Sequence, residues 1–194
     1  AGLLLYPYQS PETVAQQVRS QTVLLLSPMK VEVTLFKTKL KPRVGMMSGS
    51  GVLYHNKGLV LTAAHCLVKQ QKEDIRFFGF KLGTVTYTRK ALYIKTIDGI
   101  QAGCRELKVD RERDIGIIDC AGISGRHGVH HLTSLITRIG TRVVTSGYAG
   151  GGPHVLADGI VANELQDKGK VMVSAPSGPG MSGGGVFTYD GQLV

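Results

Sequence analysis

One serine, one histidine and one aspartate stand where their side chains could do nucleophilic chemistry together. Ser182 lies in the run Gly178-Pro179-Gly180-Met181-Ser182-Gly183-Gly184. A serine hydroxyl is a poor nucleophile until a neighbouring base takes its proton, and that base is most often histidine. The histidine in turn needs a carboxylate to fix its tautomer and to stabilise the imidazolium. Of the six histidines, His55, His127, His130, His131 and His154 fall in polar or glycine-bounded stretches, where an exposed loop residue is expected. His65 instead ends the apolar run "GLVLTAAHC", behind two small alanines that let an imidazole approach other backbone closely. Asp114 opens the apolar run "DIGIIDC" after a charged turn, and Asp119 at an odd offset points to the opposite face of the same strand.

The glycines around Ser182 are not a linker. "KVMVSAP" precedes them and "GVFTYDGQLV" follows, both strand-like, so the run reads as a tight turn where backbone must come close to something.

The elements that must carry these residues are mostly strands. Twenty-six glycines and many short apolar runs with few helical periods argue for β structure. The exception is "SPETVAQQVRSQ" (10–21), where Ser10 can cap a helix, Pro11 suits its first position, and Val14 and Val18 share a face. Strands are expected at "KVEVTLFK" (30–37), "GSGVLYH" (49–55), "GLVLTA" (58–63), "DIRFFGFK" (74–81) and "TVTYT" (84–88). Further strands follow at "ALYIKTI", "DIGIIDC", "TRVVTSGY", "HVLADGIVA", "KVMVSA" and "GGVFTY". Such short, evenly separated strands suit barrels or sandwiches better than βαβ units.

Composition bounds the rest. A chain of 194 residues with 42% hydrophobic content can bury a real core as one domain or two small lobes. No apolar stretch approaches the roughly 18 residues a membrane-spanning helix needs, and the N-terminus lacks the basic-then-apolar shape of a secretory signal. The net charge of +9 permits contact with nucleic acid through a basic surface, with "KTKLKPR" (37–43) its densest patch. A solvated loop is the simpler reading of that patch, since no aromatic residue interleaves it. Cys66, Cys104 and Cys120 match no zinc spacing and are expected as idle thiols in a reducing, intracellular setting.

Taken in order, "LTAAHC", "RDIGIID" and "GPGMSGGGVF" resemble the three signature segments of the chymotrypsin/trypsin-like serine proteases. The glycine-rich 142–161 stretch resembles the heat-shock proteases of that family, and the compact second half resembles RNA-virus polyprotein proteases. The resemblance implies an all-β fold of two antiparallel barrels, here with a short N-terminal helix. It divides the chain into an N-terminal extension (1–29), a first barrel (30–120) carrying His65 and Asp114, and a second barrel (121–194) carrying Ser182. It further implies a triad of Ser182, His65 and Asp114, an oxyanion hole from the N–H groups of Gly180 and Ser182, and a pocket lined by Pro176, Ser177 and Gly178. No metal or cofactor is implied, and the substrate is a polypeptide, cut in a viral polyprotein in one version of the reading (placing the chain in the host cytoplasm).

Five departures qualify the match. Met181 stands where digestive members carry an aspartate, and the start of the chain is not theirs. Ser50 is read as occupying the place of the cysteine that would pair with Cys66, Gly185 replaces a proline, and the family's next strand is expected either beyond Val194 or to be lacking, which would leave the second barrel with an open edge strand. Two functions follow from different classes: a serine endopeptidase, or a protease-fold binding module that uses its basic surface to hold a protein or nucleic acid.

Overall fold

The computed structural model describes residues 10–129, 138–165 and 170–194, so His130 and His131 lie outside the described residues. Helix α1 (Pro11–Gln21) begins as its sequence dictates: the Ser10 hydroxyl accepts the Thr13 N–H at 3.3 Å, and Pro11 occupies the first turn. Val14 and Val18 are fully buried on one face. No helix among the described residues is long and apolar enough to cross a membrane.

Strand β1 (Thr22–Leu35) follows without a break. Residues 22–29, placed by sequence in an N-terminal extension, are therefore the first half of a strand. β1 then turns through β2 (Thr38–Lys39) into β3 (Arg43–Tyr54), with β4 (Leu59–Ala63) next. The hairpin of β5 (Gln70–Phe77) and β6 (Phe80–Arg89) precedes β7 (Tyr93–Lys95), β8 (Gln101–Asp110) and β9 (Ile115–Cys120). The antiparallel order β3-β4-β9-β8-β7-β1, with β1 also paired to β3, closes a six-stranded barrel. β1 is long enough to serve two neighbours on one edge: Leu24–Leu26 pair with β7, and Met29–Leu35 pair with β6. The β5–β6 hairpin thus extends from the barrel as a ribbon. Val23, Leu25, Leu53, Val60, Leu67, Ile94, Ile118 and Ile123 fill the barrel.

Two readings differ from this arrangement. "DIRFFGFK" is not one strand but two, divided at Phe78-Gly79, because glycine accepts the φ of +82° that a two-residue turn needs. β8 carries no strand signal in the sequence: it is largely polar and solvent-facing, and its register shifts between Glu106 and Lys108. That register puts Cys104 directly opposite Cys120, with Cα atoms 4.1 Å apart, and the two form a disulfide. The expectation of three idle thiols is corrected to one, Cys66.

The second half is an open half-barrel. β10 (Arg142–Tyr148), β11 (His154–Leu165), β12 (Lys170–Val173) and β13 (Gly185–Thr188) form a sheet in the order β12-β11-β10-β13. Its core is shared with the helix: Val14 and Val18 pack with Phe187, Leu193, Val52 and Val129. Burying each valine is worth about 1.5–3 kcal/mol, so α1 is a structural part of the lobe that carries Ser182.

Candidate active site

His65 and Asp114 are delivered by neighbouring strands. β4 ends in a 3₁₀ turn (Ala64–Leu67), which presents His65 to solvent while Ala64 and Leu67 stay buried. Asp114 closes the β8–β9 connection, shaped by the Asp110 carboxylate accepting the N–H groups of Glu112 and Arg113. Its φ of +57° is the left-handed conformation that aspartate tolerates better than most residues. From there all its oxygens meet the histidine turn. Its carbonyl accepts the Ala64 N–H at 3.1 Å, Oδ1 accepts the His65 N–H at 2.8 Å, and Oδ2 lies 2.7 Å from His65 Nδ1.

Partial burial pushes the Asp114 carboxyl up. The hydrogen bonds from His65 and the His65 charge outweigh that and hold it below the ordinary carboxylate range. An ionised carboxylate only accepts, so Nδ1 is the nitrogen that donates to Asp114, and Nε2 is not taken up by this bond. The couple is open: 56% of the His65 and 44% of the Asp114 side chain are exposed, so water weakens its electrostatics.

The Ser182 turn enters from the half-barrel and is tied to the first barrel by its backbone. The Ser182 carbonyl accepts the Ser50 N–H at 2.8 Å and faces the Cys66 thiol at 3.6 Å, one residue from His65. Pro179 C=O accepts the Gly150 N–H at 2.6 Å. Because that peptide is trans, the Gly180 N–H faces the other way. Among the described residues, neither the Gly180 nor the Ser182 N–H donates to a protein acceptor. Gly180 has φ +86°, and a Cβ there would lie 2.5 Å from the Tyr148 carbonyl. Gly183, at φ +82°, would drive a Cβ into Thr62, Ser50 and Ala63, so this glycine lets the two lobes close against each other.

Ser50 is the residue that the sequence does not single out correctly. Strand alternation turns Gly49, not Ser50, toward the Cys66 sulfur, so the place assigned to a pairing cysteine is one position off. The fully buried Ser50 side chain faces the half-barrel instead. Its hydroxyl donates to Gly180 C=O at 2.7 Å and accepts the Tyr148 N–H at 2.8 Å. Cys66 stays a free thiol pushed up to about 11, by burial first and then by the Asp114 charge.

The remaining residues take other places. Pro176 and Ser177 are exposed and Gly178 half-buried on the loop before Ser182, where Gly178 C=O accepts the Met181 N–H at 3.1 Å. A separate cleft of about 670 Å³ opens beside Asp114, lined by Leu61, Ile115, Ile117, Gly183, Val186 and Leu193 among others. His154, expected exposed, is half-buried and hydrogen-bonded through Nε2 to the buried Ser146 hydroxyl at 2.8 Å, which also meets Thr22 Oγ1 at 2.6 Å. Burial lowers its pKa, with the Arg19 charge contributing less. No group of three His, Cys, Asp or Glu side chains converges to hold a metal ion among the described residues.

The family model described as "Trypsin-like peptidase domain" matches residues 49–194. No curated protein matches the chain.

Proposed function

We propose that this chain, which belongs to the trypsin-like peptidase domain family, is a serine endopeptidase working through Ser182, His65 and Asp114. The observation that carries the reading is the Asp114–His65 couple, bonded through both carboxylate oxygens and adjoining a turn with two N–H groups that donate to no protein acceptor among the described residues. Ser182 Oγ attacks the scissile carbonyl carbon while His65 Nε2 takes its proton. The oxyanion is held by the Gly180 and Ser182 N–H groups, each such donor being worth about 3–4 kcal/mol to the transition state. The C–N bond then breaks, and the proton passes from His65 to the leaving amine. Water repeats the sequence on the acyl-enzyme, releasing the acid and restoring Ser182. Pro176, Ser177 and Gly178 are the proposed pocket, and with no charge among them they suit a neutral side chain. Excision within a viral polyprotein is the setting proposed for the cut, on the resemblance of the compact second half.

Incubation with a fluorophosphonate, read by intact mass, tests the assignment. One adduct on the native chain and none on Ser182→Ala or His65→Ala is the expected result. An adduct on none of the three overturns the reading in favour of a protease-fold binding module.

A further inference from the structure

Four phenylalanines stand in solvent at the far end of the ribbon that β1, β5 and β6 build beyond the barrel. Phe36 is 74% exposed, Phe77 62%, Phe78 86% and Phe80 76%. They belong to two turns that the sheet register places side by side, since Leu35 pairs with Gly83 and the Phe36 N–H donates to Leu82 C=O at 3.0 Å. Both turns are two-residue hairpin loops, Phe36-Lys37 between Leu35 and Thr38, and Phe78-Gly79 between Phe77 and Phe80.

The first loop residue of each is phenylalanine in the left-handed region, with φ +46° at Phe36 and +47° at Phe78. Asparagine, aspartate or glycine is the residue such loops favour, and a bulky side chain at positive φ is strained. The strain buries little in return, because the rings it carries are among the most exposed side chains described. Two adjacent turns therefore hold the same unfavourable residue, in the same conformation, pointing outward.

The residues behind the rings are basic. Lys37, Lys39, Lys41 and Arg43 follow Phe36, and Arg76 and Lys81 flank the other tip. Of these six cations only Arg76 and Lys81 pair with a carboxylate among the described residues, both with Asp74. Leu40, Val44 and Met46 add exposed apolar surface beside them.

We propose that this tip docks on an anionic lipid surface, the rings entering the interface and the cations meeting the headgroups. Apolar side chains projecting from convex turns, with lysines one residue behind, match a fluid boundary that needs no shaped cavity. A protein partner would have to supply a complementary hollow for two separate tips. Nucleic acid would want open ring faces, whereas Phe77 and Phe78 pack edge to face, centroids 4.5 Å apart at 77°. The tips also sit at the opposite end of β1 from the seam. β1 pairs with Ser50 at Leu24, roughly eleven residues and about 36 Å of strand before the Phe36 turn.

Sedimentation with phosphatidylcholine vesicles containing about 30% phosphatidylserine tests this on the whole chain. The native chain is expected to bind them at least tenfold more tightly than pure phosphatidylcholine vesicles, and to release in high salt. Phe36→Asn/Phe78→Asn is expected to lose at least tenfold in binding with a thermal midpoint no lower than that of the native chain, since asparagine suits both loop positions better. As the chain has no tryptophan, Phe78→Trp supplies a single indole whose emission, excited at about 295 nm apart from the tyrosines, should shift to the blue on adding the anionic vesicles. Equal binding by the double asparagine variant, no blue shift, or no vesicle binding overturns the proposal. Rings that mediate only self-association, or only retention on single-stranded oligonucleotides, without vesicle binding, overturn it as well.

Discussion

Replacing Ser50 by alanine is the sharpest probe of how the two lobes hold the nucleophile turn. The side chain is fully buried and its hydroxyl makes two bonds across the seam, to Gly180 C=O at 2.7 Å and from Tyr148 N–H at 2.8 Å. Alanine removes both and leaves a partly buried carbonyl and a buried N–H without these partners. Each orphaned group costs about 1–3 kcal/mol, so the variant should lose about 2–6 kcal/mol of stability. For a chain of this size that lowers the thermal midpoint by about 5–15 °C. The effect on chemistry is separable. The Ser50 N–H to Ser182 C=O bond is backbone and survives, so the nucleophile stays anchored while Gly180, the proposed oxyanion donor, loses its tether. Misplacing a donor costs about 10²-fold in rate, so fluorophosphonate labelling should slow by about that factor in the fraction still folded at 15 °C. Parallel calorimetry and timed labelling read the two effects. A midpoint within about 1 °C of the native chain, with labelling unchanged, would refute the idea that this hydroxyl fastens the turn.

Three further outcomes follow from the same geometry. Asp114→Asn keeps the shape but lets the His65 tautomer reverse, and should lower the labelling rate by about 10⁴-fold with little change in melting. Cys66, pushed up to about 11 from an ordinary 9.0, should alkylate with iodoacetamide at pH 8 about a hundredfold more slowly than a free thiol, counted as mass adducts on the folded chain. Acid should weaken the fold through His154. Its native pKa is lowered, so its contribution is whole above the unfolded value of about 6.5 and declines as pH falls below that, where the unfolded chain takes the proton first. Melting followed from pH 8 to pH 5 should fall more for the native chain than for His154→Gln, which keeps a donor for Ser146.

Local chemistry made some of this molecule legible from residue order. Ser10 and Pro11 start α1 because capping and a fixed φ act within one turn of chain. Asp114 and His65 announce themselves because a charged turn opening an apolar strand, and a histidine behind two alanines, are written in adjacent residues. The short, separated strand segments made a mostly β fold legible, while its two lobes were implied only by the resemblance that the three ordered segments carry. Phe78-Gly79 shows where such reading falters: "FFGF" has strand chemistry throughout, and a single φ decides that it turns.

The sequence by itself determined which groups were candidates: a hydroxyl in a glycine turn, an imidazole and a carboxylate. Only the tertiary structure decided whom they meet. Cys104 finds Cys120 through a shifted strand register, α1 completes the core of a half-barrel far along the chain, and Ser50 rather than Gly49 faces Gly180. Each depends on pairing between residues distant in sequence. In a strand a shift of one position turns a side chain to the opposite face, and no local propensity records that choice.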